Sequence, residues 1–186
     1  MPTHVALLRG INVGGRNRVA MADLRDVVTG LGHAEVATYI QSGNVVFTSE
    51  EPDTDRLAAD LGRSIDASLG VQPGVVVLSR AELSQVVADN PYPDETNPKF
   101  LHAVFRRGEV GGSDVAAVAD AQQRARDKGS NDEASVVGRT VYLRTPDGLG
   151  RSELAAQLNK KGAPGSGSGT TRNWATVTTL LALLGD

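Results

Sequence analysis

Apolar residues in the first 80 positions of the chain alternate between two kinds of spacing. Short runs of consecutive apolar residues predict buried strands, and apolar residues three or four positions apart predict helices that pack on them. The predicted strands are residues 4–9, 36–40, 45–48 and 74–79, and the predicted helices start at Met21 and at Asp53 or Thr54. This βαββαβ order is typical of a ferredoxin-like unit.

A proline-rich segment predicts a domain boundary. Ser79 and Glu82 form a capping-box pattern for a third helix, and the sequence from Asn90 to Pro93 ends that helix. Because prolines continue to Pro98, we predict one domain at residues 1–90 and a second at residues 99–186.

The second half of the chain repeats most of the same order. Residues 100–105, 134–137 and 140–143 predict strands, residues 114–125 predict a helix, and another short helix is predicted from Ser152. Gly138 followed by Arg139 suits a type II′ turn. No further strand pattern follows, so the second ferredoxin-like half is predicted to be incomplete.

The end of the chain predicts a loop and a last helix. Residues 160–169 are rich in glycine and serine, which is typical of a flexible loop. Thr170 or Thr171 can then cap a helix with Trp174 and several leucines on its apolar side. The predicted fold class is therefore α+β, with two ferredoxin-like subdomains in tandem and a C-terminal helix docked across them.

Composition excludes several classes of function. The chain of 186 residues has no cysteine, which excludes disulfides, thiolate nucleophiles and zinc–thiolate sites. Its 3 histidines are scattered, so neither a metal site nor a cofactor is expected. No apolar run reaches the length of about 18 residues needed to span a membrane. The N-terminal residues also lack the pattern of a signal peptide, so we expect a cytoplasmic location.

The connector between the first strand and the first helix is a candidate site. It covers residues 9–18 and is rich in glycine, asparagine and arginine, whereas such connectors usually have about 2–6 residues. Glycines permit positive φ, so successive N–H groups can surround an anion. The following helix N-terminus and the arginines would complete a phosphate or carboxylate pocket. The alternative is a glycine-stiffened turn whose arginines are solvated.

Two other segments carry candidate polar residues. Residues 41–44 form a predicted hairpin turn, and Gly-Asn forms turns without any functional role. Arg9 and Asn44 would nevertheless be near each other in a suitable register, because their strands are neighbours in a ferredoxin-like sheet. Arg172 and Asn173 are predicted in the first turn of the last helix, where a cation is mildly disfavoured. An anionic partner would explain that cation, and so would simple exposure.

A fourth candidate is the group around the Pro146-Asp147-Gly148 turn. Tyr142, Arg144 and Arg151 flank this turn, and surface arginines beside a structural turn are the alternative interpretation. No catalytic motif accompanies any of the four candidates, since the chain has neither an HExxH pattern nor a GxSxG pattern.

Three ordered motifs resemble those of a known family. They are residues 7–15 (LLRGINVGG), 41–47 (QSGNVVF) and 170–174 (TTRNW), and the resemblance, to the domain of unknown function 1697 family (DUF1697), covers essentially the whole chain. It implies an α+β fold of two related ferredoxin-like parts in a bacterial family without an established activity. It also implies a set of site residues: Arg9, Asn12, Gly14, Gly15, Asn17, Gln41, Ser42, Gly43, Asn44, Arg151, Thr171, Arg172 and Asn173.

The chain departs from the family's pattern in two places. Arg18 stands where the resemblance leads us to expect lysine, which keeps the positive charge. The Gly-Ser-rich residues 164–169 form a longer stretch than expected.

We therefore expect a polar site that binds an anion, such as a nucleotide, a phosphorylated metabolite or a nucleic-acid backbone. Arg9, Arg16 and Arg172 would recognise the charge. Directional hydrogen bonds would come from three asparagines: Asn12, Asn44 and Asn173. Nucleic acid is not favoured, because the net charge is −3 and aromatic residues make up only 4%.

The rival hypothesis is a protein–protein interaction module. In that case the same motifs are turns, caps and a polar network that holds the last helix on the first half. An enzyme that acts on a phosphate compound is a third hypothesis and the weakest, because no general base is apparent.

Overall fold

The structure, a computed structural model, describes residues 1–108, 110–160 and 169–185. In this part of the chain six α-helices accompany two four-stranded antiparallel sheets, which confirms the predicted α+β class. The chain divides into two compact units, Met1–Gln85 with Thr178–Asp186, and Val86–Val177. Most of the loop predicted at residues 160–169 lies outside the described residues.

The first sheet has the strand order β2-β3-β1-β4. Its strands are β1 (His4–Arg9), β2 (Ala34–Tyr39), β3 (Asn44–Thr48) and β4 (Gly74–Ser79). The helices of this part of the chain are α1 (Met21–Gly30), α2 (Thr54–Leu69) and α3 (Arg80–Ala88). Since β1 is a central strand, its Leu7 has Asn44 of β3 on one side and Val76 of β4 on the other.

Two of the predicted helix caps are confirmed. The side chain of Asp53 accepts hydrogen bonds from the first-turn N–H groups of α2. Ser79 and Glu82 form the reciprocal capping box of α3: the Glu82 N–H donates to Ser79 Oγ at 3.2 Å and the Ser79 N–H donates to Glu82 Oε2 at 2.7 Å. These local bonds set where both helices begin.

The core of the first unit forms on one face of its sheet. Alternate residues of the central strands, such as Ala6 and Leu8 of β1, contribute to it. The helices contribute residues at helical spacing: Leu24, Val27 and Val28 of α1, and Leu57, Ala58, Leu61 and Ile65 of α2. The periodicity that predicted the helices is therefore the periodicity of their buried faces.

The second sheet has the strand order β6-β7-β5-β8. Its strands are β5 (Leu101–Arg106), β6 (Glu133–Val137), β7 (Thr140–Arg144) and β8 (Gly169–Asn173). The remaining helices are α4 (Gly112–Asp127), α5 (Glu153–Leu158) and α6 (Trp174–Leu183). Its helix-covered core gathers Val118, Ala121, Ala125, Val141, Leu143 and Leu154.

The prediction that the second half lacks its last strand is wrong. Residues of β8 pair antiparallel with β5, and Arg172 lies opposite Ala103. The strand escaped the hydrophobic pattern because its buried residues, Thr170 and Arg172, are polar, while Thr171 and Asn173, which alternate with them, are exposed. Burial does alternate along β8 with a period of two, but the residue types conceal it.

The predicted cap of the last helix is also wrong. Thr170 and Thr171 lie in β8, and α6 begins at Trp174. Asn173 supplies the cap, since its Oδ1 accepts a hydrogen bond from the Thr176 N–H at 2.8 Å. Asparagine is among the preferred N-cap residues. Arg172 and Asn173 are therefore strand residues and do not belong to the first turn of a helix.

All three histidines are buried or half-buried. The rings of His4 and His33 contact the Phe47 ring, with centroids 5.7 and 4.8 Å apart. His102 is only 6% exposed on β5, and its Nδ1 has no hydrogen-bond partner among the described residues. Burial lowers the pKa of each of these histidines, because it disfavours the charged imidazolium.

We expect the melting temperature to fall as the pH decreases from about 7.5 to about 5.5. The folded-state pKa of each histidine lies below that of the unfolded chain, so the unfolded state takes up protons first and gains stability as the pH falls. Above the unfolded pKa, at about 6.5, this contribution is constant. The His102→Phe variant removes one of these titrating groups, and His102 Nδ1 makes no hydrogen bond that the substitution would break. The melting temperature of this variant, measured by scanning calorimetry, should therefore depend less on pH. An unchanged slope in this variant would contradict the role of His102.

Candidate functional site

The connector between β1 and α1 folds into a small β-hairpin, here called the arm (residues 12–17). Val13 and Arg16 form an isolated antiparallel bridge, and the Arg16 N–H donates to Val13 O at 3.1 Å. Gly14 and Gly15 make the two-residue turn with φ values of 58° and 77°. Positive φ at both positions is the requirement of a type I′ turn, which explains the pair of glycines.

The Asn12 side-chain amide joins the arm to two other segments. Its Nδ2 donates to Val19 O at 2.9 Å and to Gln41 O at 3.1 Å, and its Oδ1 accepts from the Val19 N–H at 2.9 Å. Both amide hydrogens are therefore used inside the protein. Asn12 holds the arm, the residues before α1 and the β2–β3 turn together.

Asn44 has a similar internal role in the β2–β3 turn. The turn covers residues 40–43, one position before the predicted one, and Asn44 is the first residue of β3. Asn44 is fully buried, and its Nδ2 donates to Tyr39 O and to Ser42 Oγ, both at 3.0 Å. The β1–β3 register places Arg9 two positions beyond the partner of Asn44, Leu7, on the same face of the sheet.

A shallow pocket lies between the arm, the start of α1 and the β2–β3 turn, and we call it the arm pocket. Its volume is about 470 Å³, and its lining residues are Asn12, Gly15, Arg18, Val19, Ala20 and Gln41. It thus brings together three predicted site residues, Asn12, Gly15 and Gln41. The lining also includes Arg18, which the predicted set of ligand residues omitted.

The connector of residues 9–18 carries positive charges and no negative charge. Arg9, Arg16 and Arg18 are exposed, and the chain has no aspartate or glutamate before Asp23. Helix α1 begins beside the pocket, and its N-cap residue, Ala20, provides no side-chain hydrogen bond. Asp23 is in the first turn of α1 but lines a different cleft, formed with α2.

The other predicted site residues belong to the second unit. Arg172 is buried, and its Nη1 donates to Thr170 Oγ1 and to Thr171 O, both at 2.9 Å. Burial lowers the pKa of Arg172 to about 10, so the side chain is still charged at neutral pH. Asn173 caps α6, and the exposed Arg151 donates from Nε to Asp147 O at 3.0 Å. A common site for these residues and the arm stays a prediction.

The remaining residues of the fourth candidate form contacts inside the second unit. Tyr142 Oη donates to Val86 O at 2.8 Å, and burial raises the pKa of Tyr142 to about 12. Arg144 forms ion pairs with Glu95 at 3.1 Å and Glu133 at 3.2 Å. These bonds give both side chains a structural function.

Sequence reasoning missed a second cleft in the first unit, which we call the Arg80 cleft. Its volume is about 680 Å³, and its lining includes Thr3, His4, Ser49, Arg80 and Ser84. These residues come from the start of β1, the β3–α2 connector and the start of α3. Because they are far apart in the sequence, no motif of adjacent residues predicts the cleft. The one signal in the sequence is Arg80 directly after the Ser79 cap, at a helix end where a cation is disfavoured.

The described part of the chain contains neither metal-binding groups nor membrane-spanning helices. Residues 1–108, 110–160 and 169–185 contain no group of three or more His, Asp or Glu side chains that could hold a metal ion. In the same ranges no helix is both long and apolar enough to cross a membrane.

The chain belongs to the family described as Protein of unknown function (DUF1697), which matches residues 1–142. Its fold is similar to that of the conserved bacterial protein SP0830 from Streptococcus pneumoniae, with a TM-score of 0.73. The two sequences are 24% identical, and the similarity covers 98% of each chain. No curated protein matches the chain.

We expect Asn44→Ala to lower the free energy of unfolding by about 1–3 kcal/mol in the absence of any ligand, because buried hydrogen bonds of its amide are lost. Gln41→Ala is a matched control in the same turn: the Gln41 side chain is exposed and only its backbone carbonyl accepts a bond. The control should change the free energy by less than about 0.5 kcal/mol in urea unfolding. Equal effects of the two variants would contradict the structural function of Asn44.

Proposed function

We propose that this DUF1697 protein binds an anionic small molecule, a nucleotide or a phosphorylated metabolite, in the arm pocket. The observation that carries the proposal is the position of Arg18 in a pocket beside the N-terminus of α1, at the end of a connector that contains no acidic residue. The first N–H groups of a helix have no intrahelical acceptor, and together with the helix dipole they attract anions.

The arm gives this proposal its geometry. The exposed turn glycines let a ligand approach the backbone closely, and Gly15 lines the pocket. Arg16 lies on the returning side of the arm and Arg18 directly follows the arm, and their exposed guanidinium groups can reach a phosphate group from solvent. Asn12 acts on the ligand indirectly, by fixing the arm, and Gln41 and Ser42 present exposed side chains at the neighbouring turn.

We also propose that both units are ferredoxin-like and that the protein acts in the cytoplasm. Each sheet is built from a β-α-β-β-α-β segment, and the two strand orders, β2-β3-β1-β4 and β6-β7-β5-β8, correspond to each other. This correspondence supports a tandem arrangement. A cytoplasmic location agrees with a ligand of the nucleotide or metabolite class.

A protein–protein interaction module is the second candidate, because two apolar side chains are exposed beside the arm pocket. Val13 is 69% exposed and Ile40 is 52% exposed, next in sequence to the Asn12–Gln41 hydrogen bond. Ile40 also has a φ of 50°, which is costly for a β-branched residue. An exposed and strained isoleucine contributes little to folding, which favours an intermolecular contact.

We expect ATP and inorganic pyrophosphate to raise the melting temperature of the full chain, and Arg18→Gln to abolish most of the shift. A ligand present at about 100 times its dissociation constant stabilises a protein by about 2.7 kcal/mol. Arg107→Gln is the control, since it removes one exposed positive charge from the second unit. The shifts should be measured at low and high salt, because a bound ligand in a specific site is less salt-sensitive than diffuse charge attraction.

Two results would count against the anion site. If none of the phosphate compounds raised the melting temperature, the interaction module would be the better account. If Arg107→Gln reduced the shift as much as Arg18→Gln, the attraction would come from net charge and not from the arm pocket.

A further inference from the structure

The Arg80 cleft contains a guanidinium group whose hydrogen-bonding capacity is incompletely used. Arg80 Nη2 donates to Pro2 O at 2.9 Å, whereas Nε is buried and has no hydrogen-bond partner among the described residues. No ion pair within 4.0 Å joins Arg80 to a carboxylate of the described residues. A buried guanidinium N–H without an acceptor is unfavourable, and an acceptor that enters the cleft would relieve this.

The backbone fixes Arg80 at the cleft independently of any ligand. Its N–H donates to Thr3 O at 2.9 Å, and Ser79 immediately before it is held by the capping box. Glu82 already occupies that cap, so the N-terminus of α3 contributes little attraction for a further anion. Recognition in the cleft would therefore depend on the Arg80 side chain.

The other groups of the Arg80 cleft determine which chemical class of ligand fits beside the guanidinium group. Thr3 Oγ1 is bonded to His4 Nδ1 at 2.8 Å and accepts from the Ser49 N–H at 3.1 Å, so this hydroxyl is committed internally. Pro52 and Ala81 supply apolar surface. Glu50 and Glu51 also line the cleft, and their negative charge disfavours a phosphate dianion more than a single carboxylate.

We propose that the Arg80 cleft binds a small monocarboxylate with an apolar body. Once the guanidinium group turns so that the covered Nε faces the cleft, the carboxylate would accept hydrogen bonds from Arg80 Nε and one Nη, the paired geometry in which guanidinium and carboxylate groups match. The apolar body would lie against Pro52, Ala81 and the ring of His4. This site shares no lining residue with the arm pocket. The proposal for the Arg80 cleft can therefore be tested independently of the function proposed for the arm pocket.

The test is a titration of the ¹⁵N-labelled full chain with benzoate, followed by NMR. We expect the Arg80 Nε–Hε resonance and the amide resonances of Ala81 and Ser84 to shift and saturate, with a dissociation constant of about 1 mM. Arg80→Gln should weaken binding by at least about tenfold. Arg18→Gln, which alters only the arm pocket, should leave benzoate binding unchanged.

If Arg80→Gln fails to fold, titrations of the unmodified chain with two further ligands still test the proposal. Benzamide, which has the same shape without the charge, should not shift the Arg80 resonance, and phenyl phosphate should bind more weakly than benzoate. The proposal would be overturned if benzoate left Ala81 and Ser84 unshifted, or if benzamide bound equally well. Tighter binding of phenyl phosphate would overturn the carboxylate class.

Discussion

The hydrogen bonds of the Asn12 side-chain amide are the interaction on which the arm pocket depends. One carboxamide joins three segments that are distant in sequence: the arm, the residues before α1 and the β2–β3 turn. The backbone of Asn12 has a φ of 54°, a conformation that asparagine tolerates better than most residues. The same residue therefore satisfies a backbone requirement and a tertiary one, and it ties the connector to the residues before the helix N-terminus.

The chain uses arginines in two different electrostatic settings. In the connector of residues 9–18 three exposed arginines lie in a part of the sequence without acids, although the whole chain has a net charge of −3. Solvent screens such charges, so their mutual repulsion costs little stability. Arg80 is held in a cleft with glutamates in the lining, where hydrogen-bond geometry matters more than net charge. The two proposals therefore assign different classes of anion to the two settings.

Hydrophobic periodicity predicted the elements whose buried faces are apolar. Helix α1, strand β4 and the caps at Asp53 and Ser79 follow directly from that pattern and from local hydrogen bonding. Strand β8 could not be found in this way, because its inward-facing residues include Thr170 and Arg172. Polar residues are buried only where tertiary partners satisfy them, and such partners cannot be identified from local sequence.

The arm was predictable from the sequence, but the hydrogen-bond partners of Asn12 and Asn44 were not. The long connector with its glycines indicated the arm, since only positive φ at both turn positions explains them. Asn12 and Asn44 were expected to present hydrogen bonds to a ligand, yet their amide hydrogens are donated to the protein itself. The Arg80 cleft was missed because three separate segments build it. An asparagine in a turn motif looks the same in sequence whether it serves the fold or a ligand.

Hydrogen–deuterium exchange at the Val19 amide in the Asn12→Ala variant is the most direct test of this account. The Val19 N–H donates to Asn12 Oδ1, so its exchange should accelerate by at least about tenfold, while the core amides of β3 keep their protection. That result would establish that the Asn12 amide holds the arm on the start of α1. Unchanged protection at Val19 would contradict it, because the arm pocket would then form without the bond assigned to build it.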